Sequence, residues 1–227
     1  MRKYLNLAMI LSLLFTLVLS CSKKSTEPSS KVDDNGLTPA INKFVPDSLL
    51  QIIDSLGMPI YRGENPPNIE NSFLCSPFEL INSNRASDYI GTIFADYYVR
   101  FSEQNNTNLT VSVDYINGPE DGEGLGGFIV GTENNFSVFS ELTVVVYSDT
   151  AYILNLISGT IAADGIEDFH LALFMLDNLG NPSGYFINNG EGRVFKDSDG
   201  MSDENSFPVK LADLKSLVGK TVSTVKQ

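Results

Sequence analysis

Residues 97–115, "YYVRFSEQNNTNLTVSVDY", decide the fold class. Tyr97, Val99 and Phe101 alternate with Tyr98, Arg100 and Ser102; Leu109, Val111, Val113 and Tyr115 alternate with Thr110, Ser112 and Asp114. A period of two sends successive side chains to opposite faces of a pleated chain, so both runs read as half-buried strands. Working outward, further strands are expected at 69–81, 126–132, 136–147, 151–161, 168–176 and 184–195. Turn chemistry separates them at Asn117-Gly118-Pro119, Glu133-Asn134-Asn135, Ala163-Asp164-Gly165 and Asn178 to Pro182. One helix is clear, over 45–57, starting at Pro46 or Asp47, with Leu49, Ile52, Ile53 and Leu56 at helical spacing and Gly57 as its stop. The segments 143–147 and 169–176 are apolar on both faces, and that helix is the candidate cover.

About eight sequential strands behind one short helix predict a mainly β domain over 45–200, a single antiparallel up-and-down barrel of lipocalin-like form. A two-sheet β-sandwich is the alternative. An eight-stranded barrel has an interior that side chains just fill, or that holds one small ligand. Residues 201–227 read as a C-terminal tail or short docked helix, with a weak pattern at Leu211, Leu214, Leu217 and Val218.

The first twenty residues place Arg2 and Lys3 ahead of an apolar run from Leu5 to Leu19, the order of a secretory signal peptide. The run is shorter than the roughly 18 to 20 residues that a spanning helix needs. Val18-Leu19-Ser20-Cys21 resembles the lipobox of bacterial lipoproteins. That resemblance implies that Cys21 is diacylated on sulfur, becomes the first residue after cleavage, and anchors the chain to the membrane. Two or more acyl chains hold stably where one is marginal. Ser22, standing where some lipoproteins carry an Asp retention signal, implies the outer membrane. Residues 21–44 are polar and read as a flexible tether. The tether starts with Lys23-Lys24 rather than an acidic cluster, so a surface position and a periplasm-facing position both stay open.

Without residues 1–20 the chain has thirteen basic and 28 acidic residues, a net charge of −15. So acidic a surface disfavours nucleic acid and anionic lipid as partners, because both are met through Lys and Arg. With Cys21 lipidated, Cys75 has no cysteine partner within the chain, and stability rests on the packed core.

The order formed by the helix, "LGMPIYRGENPPNIENSFLCSPFELINSN" (56–84), "FADYYVRF", "GGFIVG", "NFSVFSEL", "ISGTIAADGI", "LALFMLD" and "GEGRVFKDSDG" resembles uncharacterised Bacteroidetes lipoproteins of lipocalin-like shape. The resemblance covers roughly 45–200. Its most specific piece is Asn65-Pro66-Pro67 with Ile69, followed by Ser76-Pro77. Asn71 and Phe73 stand where that family tends to carry Gly and Tyr. The resemblance implies a fold and a compartment, and no reaction.

Several constellations invite chemistry. Cys75, His170 and Asp168 could be written as a nucleophile, base and orienting acid, since a thiol needs a base or a positive field to ionise. Cys75 lies between Leu74 and Ser76 in an expected strand, so a buried inert thiol is the expectation. Gly122, Gly124 and Gly127 formally spell G-x-G-x-x-G, but a strand follows where a dinucleotide site needs a helix, and Glu120, Asp121 and Glu123 would repel phosphate. A flexible hairpin loop is expected there. Asp197, Asp199, Asp203 and Glu204 resemble part of a calcium loop, yet Phe195 takes the first ligand position when Gly200 takes the sixth, and a solvated acidic turn is expected. Asp47-Ser48-Leu49, Asp54-Ser55-Leu56 and Asp149-Thr150-Ala151 resemble the O-glycosylation triplet of Bacteroidetes, with Thr150, in an expected turn, the favoured acceptor. No catalytic residue, metal or cofactor is assigned.

The reading that follows is a lipid-anchored envelope protein of the outer membrane. It is expected to be a binding module for a small apolar ligand or for a protein or glycan partner, and not an enzyme. A structural lipoprotein without ligand is the alternative, with a carboxylate-dependent hydrolase behind it.

Overall fold

The period-two runs fold as strands of a single sheet. The computed structural model describes residues 30–118, 120–146 and 149–208, and residues from Lys31 onward form one compact unit. The expected leader at 1–20, Cys21 with the first part of the expected tether, and the pattern from Leu211 to Val218 lie outside the described residues. The helices are α1 (Pro39–Phe44) and α2 (Asp47–Ser55). The strands are β1 (Glu64–Asn65), β2 (Asn71–Cys75), β3 (Phe78–Ser83), β4 (Ile93–Phe94), β5 (Tyr97–Asn105), β6 (Thr110–Asn117), β7 (Glu120–Thr132), β8 (Asn135–Val146), β9 (Asp149–Ile161), β10 (Gly165–Asp177), β11 (Gly192–Asp197) and β12 (Met201–Glu204).

Neighbours in the sheet run β12-β2-β5-β6-β7-β8-β9-β10-β11-β3-β4, all antiparallel, and β1 adds a short parallel pairing to β7. The edge of β10 divides between two partners: Gly165, Ile166 and Glu167 pair with β12, and His170 to Phe174 pair with β11. Because β12 also pairs with β2 on its other side, the hydrogen-bonded order of eight strands returns to its start.

Four expectations need correction. The run 69–81 is two strands broken at Ser76-Pro77, a cis peptide. Pro77 has no N–H for a ladder, and there the chain leaves β5 and β12 for new partners, β11 and β4. The glycine-rich stretch is not a loop: from Glu120 it is strand β7, paired with β6. The run 184–195 is strand only from Gly192 onward. The fourth correction is at the domain limits, since Met201–Glu204 is a strand and residues 31–44 are not a tether.

The chain before α2 is ordered by Thr38, whose hydroxyl accepts from Ile41 N–H at 3.1 Å, with Pro39 opening α1. Leu37 and Ile41 are both fully buried. They join Val45, Leu49, Leu50, Ile53, Leu56 and Met58 over Val130, Phe139, Leu154, Leu156, Ala172, Phe174 and Val194 of the sheet. The helical layer thus covers the doubly apolar part of β10 as expected, but not 143–145 of the other segment, where Val145 is 62% exposed. The opposite face of the sheet holds a second core rich in aromatics, including Phe73, Phe78, Tyr97, Phe101, Phe136, Phe169 and Phe195.

Candidate functional site

Among the described residues the aromatic core holds a cavity of about 150 Å³. Four rings form a column along it: Tyr115 stacks on Tyr97 at 5.8 Å between centroids, Tyr97 on Phe78 at 5.2 Å, and Phe78 on Phe195 at 4.6 Å. Phe94 meets Phe195 edge-on at 5.3 Å. Leu142, Leu171 and Leu173 complete the apolar wall, and Asn117, Asn155 and Arg193 are its polar members. Phe78, Tyr97, Asn155 and Leu171 are buried, whereas Phe94, Tyr115, Asn117 and Arg193 are half-buried, so the cavity opens toward the latter.

The 84–92 segment is held beside this cavity through Arg193, one of its lining residues. Asp88 accepts from Arg193 Nε at 2.7 Å and from Nη2 at 2.8 Å, and this two-pronged pair holds the segment against β11. The Arg193 guanidinium, with the Ser83 hydroxyl, lowers the Asp88 carboxyl to about 2. Asn84 extends the clamp, donating from Nδ2 to Gly190 O and accepting from Gly192 N–H, both at 2.8 Å.

Deep in the cavity wall the polar balance is incomplete. Tyr97 and Asn155 are each 3% exposed, yet Tyr97 Oη and Asn155 Oδ1 have no hydrogen-bond partner among the described residues. Burial pushes the Tyr97 phenol up, only partly offset by a weak hydrogen-bonding approach of the Asn155 side chain that falls short of full hydrogen-bond geometry, so the phenol stays protonated.

The residues singled out in the sequence do not assemble here. Cys75 is fully buried on β2. Burial first, then the charge of Asp197, drives its thiol far above the ordinary range. His170 Nδ1 bonds the backbone carbonyl of Asp168 at 2.7 Å, not its carboxylate, and no relay joins it to Cys75 among the described residues. A chain beginning at Lys31 carries this one cysteine. It is expected to resist iodoacetamide at pH 8 while folded and to react fully in 6 M guanidinium chloride; stoichiometric labelling of the folded protein would refute the inert thiol.

Gly124 has φ +62°, a value that suits glycine, and its N–H donates to Asp114 at 2.6 Å. Asp114 is held in turn by Arg100 at 2.7 Å. The glycines therefore serve an irregularity between β6 and β7 rather than a phosphate. Thr150 lies half-buried as the second residue of β9, not in a turn, and Asp149 of its triplet accepts from Ser183 N–H at 2.9 Å. Ser48 and Ser55 are exposed on α2.

The four acids at 197–204 separate. Asp203 and Glu204 are exposed on β12, Asp199 accepts from Met201 N–H at 3.1 Å, and Asp197 is 3% exposed. No group of three or more acid, His or Cys residues is placed to hold a metal among the described residues. Asp197 instead joins three segments, accepting through Oδ2 from Ser76 N–H at 3.1 Å and from the Ser202 hydroxyl at 2.8 Å. Burial raises its carboxyl above the usual value near 3.8, the Ser202 hydroxyl opposes the rise, and the Asp199 charge adds to it.

An acid raised in this way gives stability that is complete below its unfolded value and is lost as pH rises through its folded value. Asp197→Asn keeps both acceptor bonds and cannot ionise. Its urea-unfolding free energy, measured from pH 3.5 to 8, is expected to match or fall below wild type at the acid end and exceed it above the folded value. Parallel curves for the two proteins would sink this assignment.

Comparison with family models, curated proteins and solved structures returned no match.

Proposed function

We propose that this chain is a lipid-anchored binding module of the bacterial cell envelope, tethered to the outer membrane through Cys21, with one small ligand held inside a lipocalin-like barrel. The barrel reading is supported by β12, which pairs with β2 on one side and β10 on the other. The ligand reading is carried by one observation, the cavity of about 150 Å³ with unpartnered buried polar atoms in its wall. Drug-sized sites run from roughly 300 Å³ upward, whereas an engineered apolar cavity of about 150 Å³ is known to hold benzene. The ligand is correspondingly small.

The test is a ligand-observed NMR screen of neutral molecules of about six to ten heavy atoms. Binding is expected with wild type and lost in Leu173→Trp, whose larger side chain fills the space. No binder, or binders indifferent to that substitution, would refute the cavity reading. The anchor is tested separately: Cys21→Ser is expected to move the protein from the membrane to the soluble fraction of a bacterial host.

A second reading has its own observation. The large apolar side chains Tyr89, Ile90, Ile93, Val145, Leu179 and Tyr185 are each more than half exposed. They sit on the 84–92 segment, β4, the end of β8 and the 178–191 segment, which are linked through Asn84 to Gly190 and through Ser183 to Asp149. These exposed apolar side chains suit a protein or glycan partner, and loss of binding to envelope extract in a Tyr89→Ser, Tyr185→Ser protein that still binds the small ligand would favour it.

A further inference from the structure

We infer that the cavity is built for a neutral single-ring aromatic carrying one hydroxyl, with phenol as the smallest example. This rests on reading the cavity as a ligand site. Shape argues for a ring: the wall is a column of four stacked side chains faced by leucines, and a flat apolar body gains most from such a surface. Volume argues for one ring rather than two, at about 150 Å³.

Polarity argues for one hydroxyl. Asn155 Oδ1 can only accept, and the Tyr97 hydroxyl can donate. A hydroxyl on the ligand can donate to the first while accepting from the second, so one group satisfies both of the unpaired atoms that belong to residues lining the cavity. A plain hydrocarbon leaves both unmet, which a buried polar group tolerates poorly. A carboxylate fares worse: it has no proton for Asn155 Oδ1, and Arg193, the one cation lining the cavity among the described residues, already gives Nε and Nη2 to Asp88. The specificity of the site would then lie in two residues on different strands, Tyr97 of β5 and Asn155 of β9, brought together across the core.

The experiment is calorimetric titration of the compact unit from Lys31 to Gln227 with phenol, benzene and benzoate as separate probes. Phenol is expected to bind about tenfold more tightly than benzene, as one net hydrogen bond would give, and benzoate not measurably. Asn155→Leu and Tyr97→Phe, which keep the approximate shapes of their side chains, are each expected to erase that preference while benzene still binds. Both should melt no lower than wild type, since each removes an unpartnered buried atom. Equal affinity for phenol and benzene, or a preference for benzoate, would overturn the hydroxyl inference and leave the cavity reading standing. If none of the three binds and the two polar atoms are bridged only by water, both readings fail.

Discussion

A chain beginning at Val45 is expected to melt well below one beginning at Lys31, although composition places residues 21–44 in a tether. The shorter chain lacks Leu37 and Ile41, both with no exposed surface, and the Thr38 cap that orders α1. Burying a Leu or Ile side chain fully contributes about 1.5 to 3 kcal/mol, so these two account for roughly 3 to 6 kcal/mol. Lost with them are the bond from Gly63 N–H to Gly36 O at 3.0 Å and that from Arg62 Nη1 to Asn35 O at 2.7 Å. A domain of this size is typically stable by about 5 to 15 kcal/mol and loses some 2 to 4 °C of Tm per kcal/mol, which makes the expected drop roughly 6 to 24 °C. The apolar patch under α1 would also be uncovered, so aggregation should accompany unfolding. Calorimetric melting of the two chains decides it; coincident Tm values would return residues 31–44 to the tether.

The reason this segment escaped a reading by periodicity is its sparseness. Five apolar side chains fall in fourteen residues, Val32, Leu37, Ala40, Ile41 and Phe44, but only Leu37, Ile41 and Phe44 form a helical stripe, over barely two turns, and the other signal, Thr38-Pro39 as cap and first helical residue, is short and common. Strands β5 and β6 were legible because their alternation continues over several residues with one face buried. Strand β7 was hidden because five glycines within its thirteen residues mimic a loop, and its place depends on β6 and β8 pairing on either side. Strand β12 carries two acids in four residues, and nothing local marks it; its pairing depends on free edges of β2 and β10 that are far away in sequence.

The cavity was the least legible feature. Asn155 was visible as a lone amide in the apolar run "YILNLISG", and such a residue in a doubly buried strand points to a polar function inside. On β9 the outward Leu154 and Leu156 lie under the helical layer while Asn155 and Ile157 turn to the aromatic core, so both faces look apolar and the alternation is masked. The Asp88 and Arg193 clamp joins residues 105 positions apart, a relation that no local pattern contains. Cys75 and His170 drew attention as reactive types, but reactivity is set by surroundings, and those of Cys75 are apolar and acidic.

Gly165→Val is the substitution expected to separate a closed sheet from a branched one. Gly165 opens β10 opposite Asp203, and a Cβ there would run into the backbone carbonyl of Ser202. The obstruction is backbone, which cannot rotate away as a side-chain tip can, so β12 must move. Overpacking costs about 1 to 3 kcal/mol, and each ladder hydrogen bond given up adds roughly 1 kcal/mol. Displacing β12 also removes the Ser202 hydroxyl from Asp197 and strips Leu74 and Phe73 of their pairing partners. The total is on the order of 3 to 5 kcal/mol, a large fraction of ordinary stability. Gly126→Ala on β7 serves as the control, because its added Cβ meets nothing within 4 Å. Hydrogen exchange should quicken first at β12 and along β2 in Gly165→Val, whereas Gly126→Ala should leave both protected. If closure is energetically idle, the two variants will unfold at the same denaturant concentration, and the eight-stranded circuit will be a coincidence of adjacent edges rather than the element that seals the core.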